Sequence, residues 1–407
     1  MRKLWLLTVV AALAAGTSAS AAAATPGSLD TAFGTNGITI SNVGGLPNDA
    51  ILAPNGDILV TSINGVSGGA VVRYLPNGKV DTTFGSDGVA SISSSSLIVG
   101  ADGIALAPDG KILVSSGAEN SAQTSRGLDV ARLNPNGTLD TSFGSGGIEF
   151  VPLAAGEIAD GAVLVQSGGE ILTGGSISVD LGRGHVINTG VVVRLTSSGA
   201  LDTSFGSGGI VSSTTLAGLQ TLAVDSSRDV FSAPDSVELN PTGAIDSSVT
   251  AQAIVASSQG GPDLFLSNGE TDRTGSIGVG RSDTEVDPQR FLANGATDPS
   301  FTATEFHFVA GVAARDSAPA ITSTPDGKLW VGGSHFHGSS VFGIARLNAN
   351  GGLDPTFGNS GVETTDIQGD EQIDALLPLS NNNVIAVGFT EDNTTGVAGT
   401  ALAEYNG

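Results

Sequence analysis

Short apolar runs alternate with turns rich in glycine, asparagine and aspartate along the whole chain. Residues 57–60, 111–114 and 328–331 each follow directly on an Asn-Gly or Asp-Gly pair, and another apolar run precedes that pair. Glycine at the second position of such a pair supplies the positive φ that a tight hairpin turn requires. The pattern therefore predicts an all-β chain built from short hairpins.

A second pattern, Leu-Asp-x-x-Phe-Gly-x-x-Gly with small variations, recurs between the hairpins. Its aspartates are Asp30, Asp81, Asp140, Asp202, Asp246, Asp298 and Asp354, and its phenylalanines are Phe33, Phe84, Phe143, Phe205, Phe301 and Phe357. The copy at Asp246 is degenerate, because Val249 stands where the phenylalanine belongs. Successive aspartates are 51, 59, 62, 44, 52 and 56 residues apart. Spacing of this size indicates a repeat architecture whose units pack against their neighbours.

Each unit carries four short strands in the same order, which is the number found in a β-propeller blade. Residues 401–407 form a last strand that stops before its own motif, and residues 27–34 supply that motif at the other end of the chain. The two ends can therefore share one blade, which removes the exposed edges of an open array. We predict a seven-bladed β-propeller closed by joining the N- and C-terminal strands. An open solenoid is the alternative.

The repeated elements resemble a known family. The motif, the Pro-Asp-Gly-Lys-Ile-Leu-Val hairpin at residues 108–114 and the Ala-Arg-Leu-Asn strand at residues 131–134 are together similar to the delta-60 repeat family of secreted bacterial propeller-like proteins. The resemblance covers residues 27–407 and implies a propeller architecture and export. It implies no catalytic residue, since the family is a repeat without an established general activity. Residues 210–294 depart most from the pattern, and we expect the least regular blades there.

The first 24 residues have the layout of a cleavable secretory signal. Arg2 and Lys3 precede an apolar stretch over residues 4–15, and a run of small residues follows. The apolar stretch is shorter than the ~20 residues that span a bilayer, which disfavours the alternative of a retained anchor. We expect cleavage after Ala24, a secreted or periplasmic location, and a single propeller domain over residues 25–407 without a transmembrane segment.

Composition narrows the classes of function. The chain has 16 Lys and Arg against 40 Asp and Glu, a formal net charge of −24. Binding to nucleic acid depends on neutralising phosphates with basic side chains, so we expect no nucleic-acid partner. The chain has no cysteine, which excludes disulfides and thiol catalysis.

An arginine stands eight residues before five of the motif aspartates. These arginines are Arg73, Arg132, Arg194, Arg290 and Arg346. Residues that recur once per unit are more often joints than active sites, so we interpret the Asp as a turn acceptor and the Phe as a plug between blades. The alternative is a ring of Asp-lined cation sites. We expect no cofactor and no designed metal site, with at most weak association of calcium.

Residues outside the repeat give weaker signals. His335 and His337 alternate on a strand end and would share one face, but two histidines without a third ligand are most simply partly exposed loop residues. His185 and Arg183 lie in a long insert that we interpret as decoration. Ser67 lies in a Gly-x-Ser-x-Gly sequence that lacks the strand-to-helix context of a nucleophile elbow. We interpret one charged cluster as a solvated loop: Glu270, Asp272, Arg273, Arg281, Asp283, Glu285 and Asp287.

Two functions remain open on this sequence. The first is a non-catalytic, exported scaffold or binding module, expected to be a monomer, whose blade-end loops contact a protein, a glycan or a cell-surface partner. The second is an extracellular hydrolase or lyase with its site at one mouth of the propeller. The sequence shows no concentrated acid/base constellation for the second.

Overall fold

The fold follows from a computed structural model of the chain. It describes residues 24–63, 68–153, 157–180, 186–217, 219, 221–224, 229–233, 237–245, 263–266, 270–279, 283–292, 296–309, 312 and 314–407. Within these residues a 3₁₀ turn at Thr214–Leu216 is the one helical element, and all other regular structure is β-strand. The prediction of an all-β chain is confirmed.

The described residues contain 29 strands. They are β1 (Ile38–Ser41), β2 (Leu46–Leu52), β3 (Ile58–Ile63), β4 (Gly69–Tyr74), β5 (Val89–Ile92), β6 (Leu97–Ile98), β7 (Gly103–Leu106), β8 (Ile112–Asn120), β9 (Arg126–Leu133), β10 (Ile148–Pro152), β11 (Glu157–Val165), β12 (Ile171–Asp180), β13 (Val186–Leu195), β14 (Ile210–Ser213), β15 (Thr221–Val224), β16 (Val230–Ala233), β17 (Val237–Leu239), β18 (Asp263–Phe265), β19 (Thr271–Arg273), β20 (Ser276–Gly278), β21 (Thr284–Val286), β22 (Gln289–Phe291), β23 (Arg315–Ser323), β24 (Leu329–Phe336), β25 (Ser340–Leu347), β26 (Val362–Thr365), β27 (Gly369–Pro378), β28 (Val384–Asp392) and β29 (Ala398–Tyr405).

Seven sheets contain these strands in the described part of the chain. Their strand orders are β2-β3-β4-β5, β6/β7-β8-β9-β10, β11-β12-β13-β14, β15-β16-β17, β18-β19-β22, β20-β21-β23-β24-β25-β26 and β27-β28-β29-β1. The first strands of neighbouring sheets pack together, β2 on β7, β7 on β11, β11 on β15, β23 on β27 and β27 on β2. Contacts of this kind between neighbouring sheets bury faces that a single small β-sheet could not cover by itself.

The sheets are shifted by one strand relative to the sequence repeat. The strand that follows each motif pairs with the preceding sheet, as β5 does with β4 and β10 with β9. The N-terminal strand β1 follows the same rule and pairs antiparallel with the C-terminal strand β29, from Ile38 opposite Ala403 to Ser41 opposite Thr400. The first and last strands of the described chain therefore lie in one sheet.

Six of the seven motifs are hydrogen-bonded to the turn that precedes another motif, and the motif at Asp246 lies outside the described residues. The donors and acceptors are Gly34 N to Asn77 O, Gly85 N to Asn136 O, Gly144 N to Ser198 O, Gly206 N to Thr242 O, Thr302 N to Asn350 O and Gly358 N to Pro26 O, at 2.7–3.0 Å. Five of these bonds run forward along the chain. The sixth returns from the last motif to the first, because Pro26 lies four residues before Asp30 just as Asn77 lies four before Asp81.

The motif phenylalanines lie in the apolar layers between sheets. Phe143 is fully buried in a cluster that includes Leu113 and Val130 of the second sheet and Val191 of the third. Phe33, Phe84, Phe205 and Phe357 are equally buried, whereas Phe301, next to the irregular region, is only partly buried. The large aromatic side chains therefore fill space that two sheets enclose together.

The region that departs from the repeat is irregular in the structure as well. The fourth and fifth sheets have three strands each in the described residues, and the short hairpin β20–β21 leaves the fifth unit to join the sixth sheet through a parallel pairing of Thr284 with Arg315. Asp246 and Val249 lie outside the described residues.

Buried carboxyl groups lie inside the sheets as well as at the joints. Asp129 on β9 is 2% exposed, and Ser116 Oγ donates a hydrogen bond to its Oδ1 at 2.5 Å. Burial is the main cause that raises the pKa of Asp129 to about 7, and the negative charge of Asp102 contributes to this rise. This carboxyl group is therefore easier to bury protonated than ionised.

Phe143→Ala should lower the free energy of unfolding by about 3–5 kcal/mol, because it removes a fully buried ring and leaves a cavity between two sheets. Denaturant titration measures the difference. Phe336→Ala is the matched control, since that ring is exposed and should cost little. Equal costs for the two substitutions would show that the motif ring is not part of a packed layer.

Asp129→Asn should flatten the dependence of stability on pH. The native state keeps this proton up to about pH 7, while an unfolded aspartate loses it near pH 4. The wild-type protein therefore loses stability as pH rises through this window, by up to about 4 kcal/mol from this group. Urea titrations at several pH values test this, with exposed Asp87→Asn as control. An unchanged pH dependence in Asp129→Asn would contradict the assignment.

Candidate functional site

The repeated motif builds a joint from three side chains. At Asp140, Oδ1 accepts from the N–H and Oγ of Ser142 at 3.1 and 2.6 Å, and Oδ2 accepts from Arg132 Nε at 2.8 Å. The guanidinium carbon of Arg132 lies 4.5 Å from the ring centroid of Phe143. Hydrogen bonds from Lys111 and then Ser142 hold the pKa of Asp140 well below its usual range. The carboxylate is ionised and saturated by neighbours of its own chain.

Three further joints repeat this arrangement. Arg73, Arg194 and Arg346 donate through Nε to Asp81, Asp202 and Asp354 at 2.8, 2.7 and 3.0 Å. Each guanidinium also lies over the phenylalanine of its own motif, at 4.5, 4.5 and 5.0 Å. Most of these arginines reach further, to a carbonyl of the next turn, as Arg73 Nη1 does to Pro135 O at 2.8 Å and Arg194 Nη1 to Pro241 O at 2.6 Å.

One joint differs from the predicted pairing, and the joint at Asp30 has no arginine. Arg290 binds Asp272 through Nε and Nη2 at 2.6 and 2.8 Å instead of Asp298, eight residues away. Asp272 is therefore a fully buried strand residue, and the expectation of a solvated loop is wrong for it and for buried Arg273. At Asp30 the place of the arginine is taken by Glu404, whose backbone carbonyl accepts the N–H of Asp30. Burial raises the pKa of Glu404, and Asp30 raises it further.

A different, unrepeated cluster lies in the sixth sheet. Asp316, whose side chain is completely buried, receives His307 Nδ1 at Oδ2 and His335 Nδ1 at Oδ1, both at 2.7 Å. On its other side, His307 Nε2 lies 3.2 Å from Glu285 Oε1 and 3.6 Å from Asp283 Oδ1. Two imidazoles and three carboxylates thus share one small region, which we call the His-Asp-His cluster.

Strand register and the inserted hairpin bring this cluster together. Asp316 on β23 stands directly opposite His335 on β24. Glu285 lies on β21, which the hydrogen bond from Thr284 Oγ1 to Asp316 O ties to the start of β23. His307 follows Phe306, which forms a bridge with Val286 of the same hairpin. The irregular insert therefore completes the site.

The ladder position of Asp316 and His335 is not polar in every sheet. Counting back from the hairpin turn, Asp316 and His335 occupy the ladder position that Ile158 and Ile177 hold in the third sheet. The seventh sheet has buried Glu371 and Thr390 there, and Glu371 Oε1 accepts the backbone N–H groups of Ile367 and Gly369 at 2.8 and 3.0 Å. Buried polar groups therefore occupy this position in the sixth and seventh sheets, and isoleucines occupy it in the third.

The geometry assigns different roles to the two histidines. An ionised carboxylate only accepts hydrogen bonds, so both imidazoles present Nδ1–H to Asp316. His307 lies between carboxylates, with Asp316 at Nδ1 and Glu285 at Nε2. His335 Nε2 has no hydrogen-bond partner in the described part of the chain. An Asp-oriented imidazole with a free second nitrogen is the arrangement of a general base.

The sequence identified parts of this cluster but not the whole. His335 is buried, so its interpretation as a partly exposed loop residue is wrong, while His337 is exposed and apart from the cluster. His307 and Asp316 belong to no local motif, so the sequence alone does not indicate them.

Four further residues of the sequence analysis cannot be placed in the fold. Residues 64–67, with Ser67, and residues 181–185, with Arg183 and His185, lie outside the described residues, as does Arg281. No group of three or more His, Asp or Glu side chains in the described chain stands in metal-holding geometry.

The two ends of the sheets differ in chemistry. We call the end with the first-to-second strand turns and the motifs the turn face, and the opposite end, where the second strand connects to the third, the loop face. Seven large apolar side chains are exposed on the loop face, at the start of first or third strands or the end of second strands: Leu46, Ile63, Ile98, Val186, Ile187, Phe336 and Val397. A cleft of about 710 Å³ also opens there beside Val186 and Arg126.

Comparison with known families supports a propeller repeat. Residues 53–84, 107–143, 166–205 and 324–357 match a domain of unknown function, DUF5122, described as a β-propeller. Each matched segment begins at a hairpin turn and ends at a motif phenylalanine. The chain is therefore an all-β protein in which four segments are similar to a β-propeller repeat family. No curated protein matches the chain.

Solved structures give weaker likenesses. A protein of unknown function from Dyadobacter fermentans is 12% identical with a TM-score of 0.44, covering 90% of this chain and 98% of its own. An α-L-arabinanase from Penicillium chrysogenum is 12% identical with a TM-score of 0.45, covering 90% and 96%. An endo-arabinase from Bacteroides thetaiotaomicron is 12% identical with a TM-score of 0.33, covering 90% and 95%. Likenesses at this level assign no activity to the chain.

Within the described residues, no helix has the length and apolarity needed to cross a membrane.

Asp316→Ala should destabilise the protein by about 1–3 kcal/mol for each imidazole N–H left without an acceptor, because His307 and His335 are both largely buried. Thermal and denaturant unfolding measure the loss. His337→Ala is the control and should cost little, since that ring is exposed. Similar costs for both substitutions would show that Asp316 does not hold the two histidines.

Proposed function

We propose that the mature chain is a closed seven-bladed propeller, exported from the cell, that acts as a non-catalytic binding module for a protein partner. Closure is supported by the pairing of β1 with β29 and by the hydrogen bond from Gly358 N to Pro26 O, which joins the last motif to the first. Export is supported by the signal-like N-terminal sequence, with cleavage after Ala24.

One observation carries the binding function: seven of the eleven exposed large apolar side chains of the described residues lie on the loop face, while the repeated polar side chains are used in joints on the turn face. Scattered exposed apolar residues are normal, but a concentration on one face is typical of an interaction surface. Loops held by a rigid scaffold are also where binding residues are most often found.

The test compares two surface variants in the mature protein. Phe336→Ser with Val397→Ser removes apolar side chains from the loop face, and Ile245→Ser is the matched control on the turn face. Cross-linking and affinity capture from envelope extract or culture medium should recover a reproducible partner with wild type and with the control, and lose it with the loop-face variant. A partner captured equally by all three proteins would contradict the proposal, and so would no reproducible partner.

The His-Asp-His cluster supports a second candidate, an extracellular hydrolase or lyase with its site at the loop end of the sixth sheet. Asp316 would hold His335, and His335 Nε2 would act as general base. A screen of polysaccharide and ester substrates tests this. Turnover that is lost in His335→Gln and kept in His337→Gln would favour the enzyme. The absence of turnover in wild type would contradict the enzyme and favour the binding module.

We further propose that calcium associates only weakly with the acidic surface. In the joint at Asp140 both carboxylate oxygens already accept hydrogen bonds from Arg132 and Ser142, which compete with a cation. Titration calorimetry of the mature protein should show no saturable site tighter than about 10⁻⁵ M. A stoichiometric micromolar site abolished by Asp140→Asn and its counterparts would make the repeat a calcium site.

A further inference from the structure

We propose that the loop face binds a basic, amphipathic segment of a partner protein, and that the binding surface is centred on the sixth and seventh sheets. This inference rests on the proposed function, because it names the chemistry of the partner that the binding module takes. The surface, which we call the acidic loop patch, consists of Phe336, Asp366, Asp370, Glu391 and Val397.

Apolar and acidic side chains are interleaved in this patch. Phe336 is 39% exposed at the end of β24, and Val397 is 48% exposed just before β29. Asp366 and Glu391 are exposed, and Asp370 lies between the two sheets, where its Oδ1 accepts the N–H of Ser340 at 3.0 Å. A ligand that covers the apolar groups must therefore lie against carboxylates.

A neighbouring carboxylate is held in its charged form. Asp392 follows Glu391 and accepts N–H bonds from Thr394 and Thr395 at 2.7 and 3.1 Å. These backbone hydrogen bonds keep the pKa of Asp392 below its usual range. Its Oδ2 also accepts from Gln368 Nε2, which fixes the loop next to Val397.

Most cations of the described residues lie away from the acidic loop patch, whereas Arg315 stands beside it, directly opposite Phe336. Lys79, Lys111 and Lys328, the lysines that follow the signal segment, all stand at turns on the turn face. The joint arginines end the third strands at the same face. On the loop face the described cations are exposed Arg126, which pairs with Glu119 at 3.2 Å, and Arg315. The acidic excess on this face therefore favours a basic ligand.

The described side chains favour a protein over a glycan, a membrane surface or a nucleic acid. Binding of glycans by stacking relies on exposed aromatic rings, and the patch offers a single one, Phe336, while Trp330, Tyr74 and Tyr405 are completely buried. An anionic membrane surface or a nucleic acid would be repelled by the same carboxylates. Aliphatic groups next to carboxylates match a segment in which apolar residues alternate with lysine or arginine.

The experiment uses a short peptide in which leucine alternates with lysine as probe, and a matched peptide with glutamate in place of lysine. Fluorescence anisotropy with the mature protein should show saturable binding of the basic peptide, weakened by salt, and no binding of the acidic one. Asp366→Lys with Glu391→Lys should weaken binding by at least about tenfold. Asp87→Lys with Asp109→Lys, which reverses two exposed acids on the turn face, should change it by less than about twofold.

The apolar part of the surface is tested separately. Phe336→Ser with Val397→Ser should also weaken binding by at least about tenfold, and Ile245→Ser should not. Equal losses in the two charge variants would mean that the peptide responds to overall charge and would overturn the proposal. Binding to anionic vesicles or to a glycan array that depends on Phe336 would overturn it too.

The two proposals fail in different ways. If affinity capture finds a partner that depends on the loop face, but the basic peptide does not bind, then the binding function stands and the chemistry of the partner is wrong. If no partner is captured, while the peptide binds as expected, the patch recognises basic segments but the module has no such partner under the conditions used.

Discussion

The joint between an aspartate, an arginine and a phenylalanine is the interaction on which the rest of the structure depends. A four-stranded sheet has two faces and cannot bury both with its own side chains. Each sheet must therefore pack against its neighbours. In the joint at Asp140 the carboxylate fixes its own turn, the guanidinium of Arg132 bridges to the next unit, and Phe143 fills the space between sheets. One set of three residues therefore fixes the turn, connects neighbouring units and fills the space between their sheets.

This use of the repeated residues also decides where function can lie. Carboxylates that are saturated by arginine, serine and backbone donors have little capacity left for a ligand. At the opposite end, where second strands connect to third strands, apolar and acidic side chains are exposed together. The His-Asp-His cluster lies toward that end as well, so both candidate activities fall on the loop face.

The sequence predicted the joints far better than the cluster. Glycine turns and motif spacing are local signals, and they indicated the hairpins, the all-β class and the repeat. The partner of Arg290 was missed because Asp272 lies on an adjacent strand, 18 residues away, and register across strands is not visible in a single sequence. Asp316 and His335 meet for the same reason, and His307 arrives from an insert that follows no repeat.

Hydrogen exchange of the C-terminal strand tests the closed arrangement most directly. Strand β29 lies between β28 and β1, so its amide protons should be protected as strongly as those of a central strand such as β12. Strand β5, which lies at the outer edge of its sheet, supplies the internal reference for weak protection. If Ala401 and Leu402 exchange as slowly as Leu172 and Thr173 at the centre of β12, the two ends of the chain close one sheet. Exchange as fast as that of Val89 and Ala90 on β5 would contradict closure.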